Sequence, residues 1–233
     1  MMRLSPVILL SFVILSVRVV LSSPTLYLIG DSTIAPHDAS EGIQGWGVEV
    51  TPFFQGINIV NKAASGRSAR SYIREGKWAD VQSSLISGDY VLIQFGHNDG
   101  GNPLKSDRAP VYGTNDSVTQ NVTLSDGTTE IVHTFTYYLY YHLTMQCYTI
   151  IASQTPDNPY DNSTTIAYNP PRFVAYAKEV ASLKDIPYVD HFSAVIWIFA
   201  KLGETTVDEF YPRDHTHTNM AGAQQVARAF IPA

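Results

Sequence analysis

The sequence predicts a three-layer α/β/α sandwich around a central, mostly parallel five-stranded sheet. Two observations predict it. Short apolar runs alternate with helical patterns, and two of those runs, Leu26-Tyr27-Leu28-Ile29 and Tyr90 to Phe95, are apolar at nearly every position. A strand apolar on both faces needs cover on both, which a parallel sheet between two helix layers provides. Strands that alternate with helices form βαβ units with right-handed crossovers, and such units wind into a sandwich of this kind. A length of 233 residues suits one domain with one sizeable core.

In chain order, residues 1–22 read as a secretory signal. Arg3 gives a positive start, Leu4 to Val17 are mostly apolar, and Val20-Leu21-Ser22 offers small residues near a cleavage point. Arg18 shortens the run below the length of a membrane span. The domain is then expected over 23–233. Strands are expected at Leu26–Ile29, Ile57 to Val60, Tyr90 to Phe95, Tyr148 to Ala152 and Tyr188-Val189. Trp78, Val81 and Leu85 share a helical face, with Gly88 as a stop signal. Phe173, Tyr176, Val180 and Leu183 mark a second helix after Pro170-Pro171, and Ala223, Val226, Ala227 and Phe230 mark the last. Asn98 to Glu130 is polar and reads as an exposed insertion beside the site.

Composition excludes several classes of function. With 45% hydrophobic and 15% charged residues the chain is neither disordered nor a membrane protein. A net charge of −6 argues against a general nucleic-acid binder, which would carry a basic face. Three sequons, at Asn115, Asn121 and Asn162, agree with a secreted, extracellular glycoprotein. The lone Cys147 has no partner in the chain for a disulfide. The protein is expected to act as a monomer without a membrane partner.

In an open parallel sheet, ligands bind at the carboxyl ends of the strands. Four polar clusters follow the predicted elements there: Gly30-Asp31-Ser32-Thr33, Ala64-Ser65-Gly66-Arg67, Gly96-His97-Asn98-Asp99 and Asp214-His215-Thr216-His217. A serine hydroxyl is a weak nucleophile until a base takes its proton, and a histidine is the usual base. The histidine needs a carboxylate to fix its tautomer, and Asp214 lies three residues before His217. An oxyanion forming during ester cleavage needs donors already aimed at it. The backbone amides of Ser32 and Gly66 and the side-chain amide of Asn98 are candidates. Gly66 is expected where the backbone must approach closely without a Cβ.

The order Gly30-Asp31-Ser32, Gly66, Gly96-His97-Asn98-Asp99 and Asp214-x-x-His217 resembles the four blocks of SGNH hydrolases. The stretches Gly66 to Tyr72, Phe95 to Gly101, Ser153 to Pro159 and Tyr211 to Thr218 are similar to rhamnogalacturonan acetylesterases, and the resemblance runs from about Thr25 to Phe230. It implies Ser32 as nucleophile, the Asp214–His217 pair as base, and Ser32, Gly66 and Asn98 as the oxyanion hole. It also implies an acetylated acidic polysaccharide as substrate and no cofactor. Arg67, Arg70, Arg74 and Lys77 cluster beside Gly66, and Arg67 and Arg70 are candidates to receive the substrate's carboxylates.

Rival readings remain at this point. Ser32 could cap a helix after the first strand. His215, His217, Asp31 and His97 could be metal ligands, although no metal is the reading we adopt. An esterase for another acetylated glycan or a lipid, or an inactive secreted relative, is the alternative function. The crossover at 134–147 is atypically short and tyrosine-rich, without one charged residue from Thr136 to Cys147. A real deletion or a mis-joined gene model accounts for it, and the second is preferred. A helix missing there is expected to expose apolar surface.

Overall fold

Alternate residues of one strand enter two different cores. A computed structural model describes residues 23–144, 148–161 and 163–231. Strand β1 (Thr25–Gly30) sends Tyr27 and Ile29 to one side of the sheet and Leu26 and Leu28 to the other, and all four are buried. Strand β3 (Tyr90–Gln94) does the same with Val91 and Ile93 against Leu92. The period of two places successive side chains on opposite faces, so an unbroken apolar run fits only a sheet covered twice.

Strands β2 (Asn58–Asn61), β6 (Tyr148–Ala152) and β7 (Tyr188–Val189) complete this sheet. Its order is β2-β1-β3-β6-β7 and all four pairings are parallel, so the expected five-stranded architecture is present. The chain runs from β1 to β2 on one side and then to β3 on the other. The gap between the carboxyl ends of β1 and β3 is therefore the topological switch point, where ligand crevices form.

One face is covered by α2 (Ala69–Arg74), α3 (Lys77–Ser84) and α5 (Arg172–Lys184). The other is covered by α1 (Trp46–Glu49), α6 (His191–Leu202), α7 (Glu204–Asp208) and α8 (Met220–Phe230). Helix α2 begins with a reciprocal Ser68–Ser71 capping box. Leu183, expected on the buried stripe of α5, is 66% exposed, because the buried stripe is Phe173, Ala177, Val180 and Ala181 and Leu183 lies to its side.

The short crossover does not leave its face bare. Helix α4 (Phe135–Tyr137) passes directly into one wide π-helical turn, Tyr138–Leu143. Phe135, Tyr138, Leu139 and Leu143 are all buried in the core against Phe173 and Val180. Trp78 Nε1 donates to the His142 carbonyl at 2.9 Å, which satisfies a group at the end of the turn. The expected exposure of apolar surface is thus corrected for the sheet-facing side, which these four side chains cover, while Tyr141 and Tyr148 stay exposed. Cys147, Asn162 and the proposed signal lie outside the described residues.

The insertion also differs from expectation, since it contains a hairpin of β4 (Gln120–Thr123) and β5 (Thr129–Val132). Asn115 and Asn121 are exposed on it.

Under the site, His191 is wholly buried between Gln94 and α8. Burial pushes its pKa down to about 4, so the ring is neutral. Its Nε2 lies 2.8 Å from the Val226 carbonyl, which can only accept, so the proton sits on Nε2. Its Nδ1 then accepts from the Gln94 side-chain amide, 3.0 Å away, and this requires the amide to present its NH2 to the ring.

Candidate active site

The turn after β1 is built by Asp31. Its carboxylate Oδ1 accepts from the Thr33 amide at 3.0 Å and the Thr33 hydroxyl at 2.8 Å. Its carbonyl accepts from the amides of Ile34 and Ala35. Such Asx-type closure makes a tight turn and presents the next side chain, Ser32, at the mouth of the switch point. No helix follows directly, so Ser32 caps nothing. His37 Nε2 donates to the Ser32 carbonyl at 2.8 Å and braces the turn from the cleft side.

The opposing loop folds on Asp214. Its Oδ1 accepts from the Thr216 and His217 amides, each at 2.8 Å. The same carboxylate meets His217 Nδ1 at 2.9 and 3.1 Å. Three-residue spacing therefore does two jobs: it closes the loop and orients the ring. Burial raises the Asp214 carboxyl, but donation from the His217 amide and ring and from the Thr216 amide outweighs it, so the group titrates below its ordinary value. Thr216 Oγ1 donates to Asp157 at 2.7 Å, and the Asn158 amide donates to the His215 carbonyl, so the segment after β6 anchors this loop.

His217 Nε2 lies 2.8 Å from Ser32 Oγ. The structure thus joins Asp214, His217 and Ser32 in one hydrogen-bonded line. With Nδ1–H donated to the carboxylate, Nε2 is left as the acceptor for the hydroxyl proton. Chemically, such an arrangement can turn a serine hydroxyl into a nucleophile for a carbonyl carbon.

Ser32, Gly66, Asn98, Asp214 and His217 all line one open cleft of about 570 Å³. Among the described residues, neither the Ser32 nor the Gly66 amide is spent on another group. Gly66 has φ +76°, a left-handed value that disfavours any Cβ-bearing residue. A Cβ there would meet only Arg108 Nη1, at 3.8 Å. Conformation, and not the expected close approach, makes glycine necessary. Gly96 is the position of close approach, since its Cβ would collide with the Gln154 side chain.

Asp99 is wholly buried and its Oδ1 accepts from the Ala69 amide at 3.0 Å, tying the loop after β3 to the start of α2. Burial, aided by the nearby Asp31 charge, holds this carboxyl well above the usual range. His97 lies 3.3 Å from Thr155 and 3.6 Å from Asp157 and is not among the residues that line the cleft.

One expectation and one rival reading fail on geometry. Arg70 cannot receive a substrate carboxylate. It is 1% exposed, paired with both oxygens of Glu130 at 3.0 and 2.8 Å, and bonded to the carbonyls of Ser106 and Ala109. The hairpin that covers it carries Glu130, 60 residues further along the chain. The four possible metal ligands do not converge either: Asp31 faces Thr33, His97 faces Thr155, and His215 is 3.8 Å from Asp161. Among the described residues no group of three His, Cys, Asp or Glu side chains is placed to hold a metal ion. Arg67 stays at the surface, paired with Glu75 at 2.9 Å.

The cleft-lining residues to which sequence reading assigned no role include His37, Arg108 and Arg213. His37, five residues after Ser32, and Arg213, next to Asp214, could have been found by proximity to the motifs. Arg108 stands in the polar insertion with no pattern around it.

The family model described as GDSL-like Lipase/Acylhydrolase matches residues 26–230. A rhamnogalacturonan acetylesterase of Emericella nidulans is 42% identical over 213 residues, covering 90% of this chain and 84% of that protein. Two solved structures share the fold. Axe2, an acetylxylan esterase from Geobacillus stearothermophilus, has a TM-score of 0.59 at 20% identity, over 90% of this chain and 93% of that one. YXIM from Bacillus subtilis has a TM-score of 0.69 at 19% identity, over 89% of this chain and 55% of that one. The chain belongs to the GDSL-like lipase/acylhydrolase family and is a carboxylic-ester hydrolase.

Proposed function

We propose that this protein is a secreted acetylesterase that removes acetyl groups from pectic rhamnogalacturonan through a Ser32–His217–Asp214 triad. The observation that carries the triad is the continuous line from Asp214 Oδ2 through the imidazole to Ser32 Oγ, with contacts of 2.9 and 2.8 Å. Ser32 Oγ attacks the acetyl carbonyl while His217 Nε2 takes its proton, and Asp214 steadies the imidazolium. The amides of Ser32, Gly66 and Asn98 hold the oxyanion. Collapse breaks the ester C–O bond, His217 returns the proton to the departing sugar hydroxyl, and acetyl-Ser32 remains. Water, deprotonated by His217, repeats the sequence and frees acetate.

An acidic polymer is supported by charge placement and by the 42% identical relative. A second groove shares Gly66 and Arg108 with the cleft and adds Arg67, Arg74 and Lys105, against Glu75 and Asp107. On a protein of net charge −6, this local surplus of cations gives a polyanion a favourable approach. Export is supported by the apolar start of the chain and by the exposed sequons at Asn115 and Asn121.

The test is acetate release from acetylated rhamnogalacturonan oligosaccharides and from acetylated xylan oligosaccharides, with wild type and Ser32→Ala. We expect faster release from the acidic substrate, a preference that shrinks with added salt, and near-total loss in the variant. Equal rates on xylan would remove the substrate reading. An active Ser32→Ala would remove the mechanism.

A further inference from the structure

We propose that Arg108 is a positioning residue that sets the orientation of the Asn98 amide and pins Gly66, so that both aim their N–H groups at the oxyanion. The proposal rests on the oxyanion reading of Asn98 and Gly66 given above. Arg108 Nη1 lies 2.8 Å from Asn98 Oδ1 and 3.2 Å from the Gly66 carbonyl. A guanidinium has donors and no acceptor, so it can face only the oxygen end of an amide. Asn98 must then turn its NH2 the other way. One of those two N–H groups reaches the Arg67 carbonyl at 3.3 Å, and the second is left for the cleft. With the amide flipped, its NH2 would oppose the guanidinium and its oxygen would face the negative charge of the intermediate. Both changes are repulsive. The cation at Oδ1 also polarises the amide and strengthens donation from Nδ2.

The insertion is built to hold Arg108 there. Ser68 Oγ, at the cap of α2, donates to the Arg108 carbonyl at 2.7 Å. The Arg108 amide meets Ser106 Oγ at 3.2 Å. On either side, the carbonyls of Ser106 and Ala109 accept from Arg70 Nη1 at 3.2 and 2.7 Å. Arg70 is itself locked to Glu130 of the hairpin. The buried arginine that cannot touch substrate therefore fixes the segment that presents the exposed one. Four links connect the hairpin to the oxyanion donor: Glu130, Arg70, the 106–109 backbone and Arg108.

The experiment measures kcat and KM on 4-nitrophenyl acetate, a small neutral ester, and on acetylated rhamnogalacturonan polymer, for Arg108→Met, Arg108→Gln, Arg108→Lys, Asn98→Ala and Arg108→Met/Asn98→Ala. Thermal unfolding is followed for each. We expect Arg108→Met and Arg108→Gln to lower kcat roughly 10-fold, a part of the roughly 10²–10³-fold lost when an oxyanion donor is removed outright. KM should change less than about twofold. Arg108→Lys, which keeps a donor-only cation, should recover part of the loss. Adding Arg108→Met to Asn98→Ala should cost almost nothing further. An impaired Asn98→Ala beside wild-type kcat in Arg108→Met and Arg108→Gln overturns this proposal alone. So does an equal loss from Arg108→Met with and without Asn98, or a loss confined to KM on acidic polymer, which would make Arg108 a substrate-binding residue. Wild-type kcat in Asn98→Ala overturns the oxyanion reading and this proposal with it. Should Arg108→Met fail to fold, the Gln and Lys variants decide by the same criteria.

Discussion

Ser32 Oγ and His217 Nε2 stand 2.8 Å apart although 185 residues separate them in the chain. Two loops of different origin make that contact. One is the Asp31-closed turn at the end of β1; the other is the Asp214-closed loop before α8. Each loop is stabilised by its own carboxylate, so neither needs the other to hold its shape. The sheet's switch point only has to bring two preformed turns together.

The first prediction concerns that contact. Ser32→Ala and His217→Ala should each lower kcat for acetyl esters by at least about 10³-fold with little change in fold, because the residues act as one unit. The double variant should be no worse than the poorer single one. Steady-state acetate release checks this, and additive losses would separate the two roles.

Gly66→Ala should be about 1–2 kcal/mol less stable, since an L-residue would have to hold φ near +76°. The measured kcat should fall as the amide shifts. Denaturant unfolding gives the first number and ester hydrolysis the second. Unchanged values for both would show that φ at this position is not what requires glycine.

Stability should weaken in acid partly because of His191. Its folded pKa, about 4, is depressed below the unfolded value of 6.5. The unfolded chain therefore binds a proton that the folded chain refuses. The stability is complete above about pH 6.5 and is lost as pH falls toward 4, by roughly 3 kcal/mol if the whole shift is realised. His191→Gln should flatten the curve in that window. Unfolding free energy measured between pH 4 and 7 for both proteins tests it, and parallel curves would refute it.

Arg70→Met should destabilise by about 3 kcal/mol, since it removes the two-oxygen partner of Glu130, which keeps only Arg74 at 3.3 Å, and leaves two backbone carbonyls without their donor. Arg67→Ala, whose partner Glu75 is at the surface, should cost no more than about 1 kcal/mol. Converting Glu130 to Gln together with Arg70→Met should recover part of the loss. Chemical denaturation distinguishes these outcomes.

What could be read in advance followed how local the signal was. The five central strands were legible because β1 and β3 are apolar on both faces, and α3, α5 and α8 because their apolar residues recur at helical spacing. Helix α6 was not, for a physical reason. His191–Leu202 is apolar almost all round, so no polar face contrasts with the buried one, and Trp197 is 60% exposed. The π-helical turn at Tyr138–Leu143 was illegible because its period is neither that of a helix nor of a strand. The residues of the Ser32, Gly66, Asn98 and Asp214–His217 clusters were legible from short motifs, and the structure brings all of them to one cleft. Arg70 was misplaced because its cover, Glu130, lies 60 residues away, and Arg108 was missed because Gly66, one of its partners, lies 42 residues away. Long-range cover of that kind leaves no trace in local composition.

The most direct test of the account is covalent labelling with a fluorophosphonate, followed by peptide mass mapping and acetate-release assay of the same samples. One phosphonyl group per chain is expected, on the peptide that contains Ser32, with activity lost in step with labelling and labelling slowed strongly in His217→Ala. Full acetate release by protein whose Ser32 is completely labelled, or inactivation through a different residue, would contradict it.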